Sequence, residues 1–175
     1  LKLADSPTIK RWIRDEEDPV LTDQAFAELE SYRDAFVDSN YFVAIDRSLH
    51  YYNRSPQSEL VVTTLVESEP SDGWYFATLS AGQQISFNLD YNPTLDVSRV
   101  WINCLVYDDG SVVGVAGTGL EITDLIARLV RAEGRGTSAM LTDLRGTILA
   151  HRNTELMEQN ARAESFAEKA TVFDF

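Results

Sequence analysis

Apolar positions recur along this chain with two different periods, and the switch between them divides it. Near the start, Ser6-Pro7 sets a capping side chain before a proline at the first helical position. Ile9, Trp12 and Ile13 then fall on one helical face. After the acidic break Asp15-Glu16-Glu17-Asp18-Pro19, Thr22 reads as the cap of a second helix. Within it Phe26, Leu29, Tyr32 and Phe36 recur at spacings of three and four, an amphipathic stripe that needs a partner. From Tyr41 the period shortens. Residues 41–45 and 49–52 read as strands around an Asp46-Arg47-Ser48 turn, and a polar loop leads to a short aromatic helix over 72–77. Residues 85–89 alternate as a half-buried strand should. Strands over 100–107 and 112–116 flank Asp108-Asp109-Gly110-Ser111, the clearest hairpin turn in the chain. A helix over 122–130 is ended by Gly134-Arg135-Gly136. A second hairpin turns at Asp143-Leu144-Arg145-Gly146 between 138–142 and 147–151, and 154–169 is helical again. The order is helices, then an antiparallel meander around a central sheet, then the opening of a second such unit: an α+β chain.

Composition narrows the function classes. The 175 residues are 44% hydrophobic, enough to bury a real core. Aspartate and glutamate number 28 against 15 lysines and arginines, a formal net charge of -13 that repels phosphate backbones and anionic lipid, so nucleic acid is not an expected partner. With Cys104 alone, neither an internal disulfide nor a four-cysteine zinc site can form, and Cys104 reads as a small apolar strand residue. His50 and His151 have no ligand-like partner nearby in sequence. There is no Gly-x-Ser-x-Gly elbow, phosphate-cradling loop or His-Glu-x-x-His motif, which disfavours the rival reading of a small hydrolase, and no cofactor is implied. Gly117-Thr118-Gly119 reads as tight packing or a bend. No apolar run approaches the roughly 20 residues that span a bilayer. A start at Leu1 and an apolar end over 171–175 read as a piece of a longer protein.

Strand alternation picks out candidate chemistry. Trp101, Asn103, Leu105 and Tyr107 share one face, and Val100, Ile102, Cys104 and Val106 the other. An asparagine beside a tryptophan is an odd choice for plain core, because its amide must find partners if buried. Bland alternatives stay open: Trp101 as core, Asn103 satisfying loop backbone, and Arg99 pairing with Asp96 at the surface.

These residues also carry a family resemblance. The stretch 98–106, then Asp109-Gly110, then 113–122 resembles the end of the membrane-distal domain of a double-Cache sensor. Leu49-His50-Tyr51-Tyr52-Asn53, Asp72-Gly73-Trp74-Tyr75-Phe76 and Asn88-Leu89-Asp90-Tyr91 match in order and spacing. Over residues 6–151 the chain looks most like the sensor regions of membrane-bound diguanylate cyclases, and is similar to those of chemoreceptors and sensor histidine kinases. The resemblance implies N-terminal helices over 1–40 and a PAS-like, membrane-distal Cache sheet domain over 41–122. A connecting helix over 123–135 and an incomplete membrane-proximal Cache domain over 136–175 would follow. It implies a small-molecule pocket with Asp72, Trp74 and Tyr75 on the covering element and Tyr91, Arg99, Trp101, Asn103 and Thr118 on the sheet side.

One departure matters. Amino-acid-sensing members carry an arginine just before the tryptophan of the covering element and an aspartate after the final glycine-rich strand. Here those positions fall on Ser71 or Asp72 and near Gly119. A free amino acid is therefore not the expected ligand. Arg99 would still suit a carboxylate, and Asp72 and Asp90 beside aromatics would suit a cation. By the resemblance, the chain is the periplasmic sensing part of an inner-membrane receptor, with no catalysis of its own. Membrane anchors would lie outside this sequence, and the N-terminal helix would pair in a homodimer unless its stripe packs on its own sheet, which is the favoured reading. The expected output is a diguanylate cyclase, then a chemoreceptor or histidine kinase. A spacer whose pocket is filled by its own side chains is a further alternative.

Overall fold

In a computed structural model, residues 2–35, 40–56, 58–92, 97–123, 140–143, 145–151, 153–163 and 166–174 are described. The side chains of 89–92, 97, 98, 150, 154, 161, 162 and 166 are outside that description. The chain divides into two compact units, Leu1–Phe87 with Trp101–Gly119, and Asn88–Val100 with Leu120–Phe175. This partition differs from a simple run of consecutive segments, because residues 88–100 group with the C-terminal part.

The first unit opens with α1 (Lys2–Asp5) and α2 (Pro7–Arg14). Ser6 caps α2 as its sequence implies, its hydroxyl oxygen accepting the Ile9 N–H at 3.2 Å, with Pro7 at the first helical position. Helix α3 (Pro19–Ala35) begins earlier than expected. The Asp18 carboxylate accepts the N–H groups of Val20 at 2.8 Å and Leu21 at 3.1 Å, so Asp18 and not Thr22 is the cap. Thr22 lies inside the first turn with its hydroxyl on the Glu16 carbonyl. Ile9, Trp12, Ile13 and Leu29 are buried, and Phe26 and Tyr32 pack beside them; Phe36 lies outside the described residues.

A six-stranded antiparallel sheet follows, in the order β3-β2-β1-β6-β5-β4. Its strands are β1 (Tyr41–Ile45), β2 (His50–Arg54), β3 (Val61–Thr64), β4 (Ile85–Asn92), β5 (Val97–Asp108) and β6 (Ser111–Glu121). Strand β1 is buried throughout, paired with β2 through Val43↔Tyr52 and with β6 through Val43↔Ala116. Two apolar layers form on opposite faces of the sheet. Tyr41, Val43, Ile45, Cys104, Val106 and Ala116 pack with the helices, and Phe42, Ala44, Leu105 and Val115 pack on the other side. The alternation read along β5 is therefore correct, with Trp101 and Leu105 opposite Ile102, Cys104 and Val106.

Two strands depart from their sequence reading. Val61-Val62-Thr63-Thr64, expected within a polar loop, forms the edge strand β3, exposed at all four positions. Along β4 the expected burial fails at Ile85 and Phe87, which are 43% and 67% exposed, while the Leu89 side chain lies outside those described. Each is an edge strand with a single neighbour, so its side chains gain little cover. The β5–β6 hairpin turns at Asp109 (φ 46°) and Gly110 (φ 81°), two left-handed residues that match the twist of the flanking strands. Arg14 at the end of α2 forks onto Asp108 and Asp109 of this hairpin.

In the second unit, β7 (Met140–Thr142) pairs antiparallel with β8 (Ile148–His151). The turn between them is held by the Asp143 carboxylate, which accepts the N–H groups of Arg145 at 2.8 Å and Thr147 at 2.9 Å, with Gly146 left-handed at φ 83°. Helix α5 (Thr154–Arg162) stops short of the expected Lys169. The Asn160 side chain accepts the Ala170 N–H at 2.6 Å, which folds the following segment back along the helix instead of prolonging it. Ile148, Met157 and Ala170 are buried here. The expected helix over 122–130 lies outside the described residues from 124 onward.

Candidate functional site

The aromatic helix expected after the polar loop is α4 (Gly73–Ala81), entered through a 3-10 turn at Pro70–Asp72 and closed by left-handed Gly82 at φ 60°. Two polar clips hold it to the sheet. The Asp72 carboxylate accepts the Val66 N–H at 2.9 Å and the Ser71 hydroxyl at 3.3 Å, tying the helix start to the segment leaving β3. Tyr75 is fully buried, and its hydroxyl donates to Asp46 Oδ1 at 2.9 Å, fixing the first turn of α4 against the β1–β2 turn. Burial, reinforced by the Asp46 hydrogen bond and charge, pushes the Tyr75 phenol well above its usual range.

Between these clips lies an aromatic cluster. Trp74 meets Phe42 edge-on with ring centroids 5.3 Å apart and Tyr51 at 5.6 Å. Phe42 also meets Trp101 edge-on at 5.9 Å and lies tilted against Tyr51 at 5.9 Å. Phe42 is buried at the floor, its ring over Gly117, where an added Cβ would collide with that ring and with the Ile102 carbonyl. The reading of the Gly117 segment as tight packing is correct at this residue. Trp74, Tyr51 and Trp101 remain half-buried, as does Asn53, whose amide donates to the Tyr51 hydroxyl at 2.9 Å. Burial pushes Tyr51 up to about 12, against the Asn53 hydrogen bond and together with the negative charge of Asp72. At neutral pH the Tyr51 phenol therefore keeps its proton. Asn103 is buried on the same strand face as Trp101.

Strand β2 distributes charge between the two faces. His50, Tyr52 and Arg54 alternate with Tyr51 and Asn53 and turn to the helix side. There Glu16, its side chain only 7% exposed, accepts Tyr52 at 3.2 Å and lies 3.3 Å from His50 Nδ1. Glu30 holds Arg54 at 3.1 Å and Arg33 at 2.8 Å. The basic side chains of β2 thus meet carboxylates on the helix side, while Asp46 and Asp72 bond to or flank the start of α4.

Of the residues singled out from the sequence, Asp72, Trp74, Tyr75, Trp101 and Asn103 come to the α4 face. Tyr75 is occupied in anchoring. Thr118 is elsewhere: it is buried, its hydroxyl bonding to the Asn40 carbonyl at 2.9 Å and Oδ1 at 3.0 Å, while the Asn40 amide also grips Gly119. Tyr91 and Arg99 belong to the second unit, and the side chains of Tyr91 and Asp90 lie outside those described. Phe42, Tyr51 and Asn53 were not singled out. The alternation of β2 carries the signal that Tyr51 and Asn53 share a face opposite the paired bases. Cys104 is buried, and burial pushes its thiol up, in keeping with an apolar filler. Among the described residues no group of three or more His, Cys, Asp or Glu side chains converges as a metal would need, and no helix is long and apolar enough to cross a membrane.

No family model matches the sequence. Solved structures do. The sensory domain of the Campylobacter jejuni chemoreceptor Tlp3 (CcmL) aligns with 19% identity and a TM-score of 0.59 over 88% of this chain and 60% of that one. The ligand-binding domain of the Pseudomonas aeruginosa PAO1 amino acid chemoreceptor PctC, in complex with GABA, aligns with 19% identity and a TM-score of 0.58 over 89% and 65%. That of the Pseudomonas fluorescens chemoreceptor CtaA, in complex with L-leucine, gives 20% and 0.56 over 89% and 60%. The chain spans about three-fifths of the length of these matched structures. An α+β chain with helices on one face of a six-stranded antiparallel sheet and α4 on the other, it has the fold of chemoreceptor sensory domains.

Proposed function

We propose that this chain is the small-molecule-sensing part of a transmembrane receptor, binding its ligand on the α4 face of the six-stranded sheet and catalysing nothing itself. The observation that carries this reading is the half-buried trio Tyr51, Trp74 and Trp101 around buried Phe42. A sheet face closed for stability alone would bury such rings, whereas ligand sites combine aromatic walls with a few placed polar groups. Asn53, Asp72 and Asn103 are those groups here. Trp74 and Trp101 form the walls, Asp72 and the Tyr51 hydroxyl supply polar contacts, and Tyr75 positions the helix that carries Trp74.

Signal transfer follows from the layering. Ligand draws α4 toward the sheet, and its clips at Asp72 and Tyr75 pass the displacement to β3 and to the β1–β2 turn. Strand β1 presents Phe42 to the site and Tyr41 and Val43 to the helices, so it links ligand to α2 and α3. The ligand shifts this equilibrium only by its differential affinity for the two arrangements. In the full-length receptor the sensing part would be extracytoplasmic, anchored by segments beyond this sequence. A homodimer through the N-terminal helices would use the outer side of α3 around Ala27, Ser31 and Asp34, because Leu29 faces the chain's own sheet. The likeness to chemoreceptor domains supports a chemotaxis output at least as well as a diguanylate cyclase. Assay of the full-length protein for cyclic di-GMP synthesis separates the two.

Thermal shift against carboxylates, amines, amino acids, purines and nucleosides tests the sensing role. A ligand at about 100 times its dissociation constant adds about 2.7 kcal/mol to the folded state. A stabilising compound whose effect is lost on Trp74→Ala and Trp101→Ala supports the reading. Silence across the panel, with both variants unchanged in every response, moves the function to a spacer or a protein partner.

A further inference from the structure

We infer that the ligand of the α4 face is an organic cation, a substituted ammonium group seated against the rings of Tyr51, Trp74 and Trp101 with Asp72 as its counter-charge. This rests on the reading of that face as the ligand site and adds the chemical class. Three observations converge on it. The first is the rings themselves: indole and phenol faces are electron-rich and attract a desolvated cation, tryptophan most strongly. Two of the three half-buried rings are tryptophans; Trp74 packs edge-on against Phe42 and Tyr51, and Trp101 edge-on against Phe42, so the rings do not form a flat stack.

The second is the sign of the local field. Asp72 stands close enough to Tyr51 for its charge to resist ionisation of that phenol. Both described hydrogen bonds to Asp72 come from neutral donors, the Val66 N–H and the Ser71 hydroxyl, so neither cancels its charge. The third is the sorting of bases along β2. Arg54 and His50 are directed to the helix side and paired there with Glu30 and Glu16, while Tyr51 and Asn53 take the α4 side. Strand β2 therefore brings none of its own bases to this face. The excess of acidic residues over the whole chain, -13 in net charge, favours approach of a cation by the same sign.

The test uses the 175-residue chain and a matched pair of probes: choline, and 3,3-dimethylbutan-1-ol, which has the same shape with a neutral carbon in place of the ammonium nitrogen. Binding is read by calorimetry, with L-leucine and phenylacetate as further probes. The expected result is choline binding at least about ten-fold tighter than the neutral isostere, in line with a desolvated cation–ring contact. Asp72→Asn, which keeps an oxygen for the Val66 N–H, then lowers choline affinity about ten-fold and leaves the isostere unchanged. Raising NaCl from about 0.02 M to about 0.3 M weakens choline alone, which tests the charge without any variant. Equal affinity for choline and its isostere overturns the inference, as does tighter binding of phenylacetate or L-leucine that depends on Trp74. In both cases the ligand site stands and its class is wrong. Failure of every probe, with Trp74→Ala silent as well, overturns the site and the inference together.

Discussion

Tyr51 and Tyr75 lie on either side of the same cluster and serve different ends. Tyr75 is buried with its hydroxyl on Asp46, so Tyr75→Phe is expected to cost about 1 kcal/mol of stability in urea denaturation. Removing the ring in Tyr75→Ala costs about 3–5 kcal/mol and detaches α4. The Tyr51 hydroxyl accepts the Asn53 amide, and replacing Tyr51 by phenylalanine is expected to change ligand affinity more than stability. The phenols also predict a pH dependence. Burial raises Tyr51 and Tyr52 to about 12, and Tyr41 and Tyr75 above their usual range. The folded chain therefore holds these protons after the unfolded chain, titrating at about 10, has lost them. Their stability contribution is complete below about pH 10 and is lost as pH rises through about 12. Absorbance at 295 nm should show delayed ionisation coincident with loss of ellipticity. Ionisation of all seven tyrosines near 10 in a still-folded chain would contradict the burial. At Gly117, alanine forces apart the Phe42 ring and the Ile102 carbonyl, and a loss of about 1–3 kcal/mol is expected together with weaker ligand binding.

At the scale of elements, local chemistry was legible where one residue decides. Ser6 before Pro7 specified its helix start outright, and Asp109-Gly110 specified its turn, because each supplies a hydrogen bond or a backbone conformation that neighbours do not. Thr22 was the expected cap of α3, and Asp18 takes that place. The carboxylate prevails because it lies one residue before Pro19 and reaches two orphan N–H groups. Asp18→Ala should cost about 1 kcal/mol and Thr22→Ala clearly less, measured by the same denaturation. Strand β3 was illegible. Val61-Val62-Thr63-Thr64 has no alternation, and it exists because β2 offers an open edge on which to pair. The early stop of α5 was illegible for a similar reason, since Asn160 turns the chain back by a contact ten residues on.

For the whole molecule, charge is the quantity that acts everywhere at once. A net charge of -13 repels itself across the compact state, so raising NaCl should raise the melting temperature by roughly 2–4 °C, the response to about 1 kcal/mol of relieved repulsion. A fall instead would mean that local pairs such as Arg14 with Asp108 outweigh the global field. The sequence by itself determined the α+β class, the helices-then-sheet order, the faces of β5 and the aromatic content of α4. These follow from period, caps and turn residues, which act within a few positions. Only the tertiary structure decided that Tyr75 is an anchor while Tyr51 stays half-buried beside Trp74, that Thr118 serves Asn40, and that the bases of β2 meet carboxylates on the far face. Those outcomes depend on which distant carboxylate or ring meets each side chain once the sheet has closed, and no local pattern encodes that meeting.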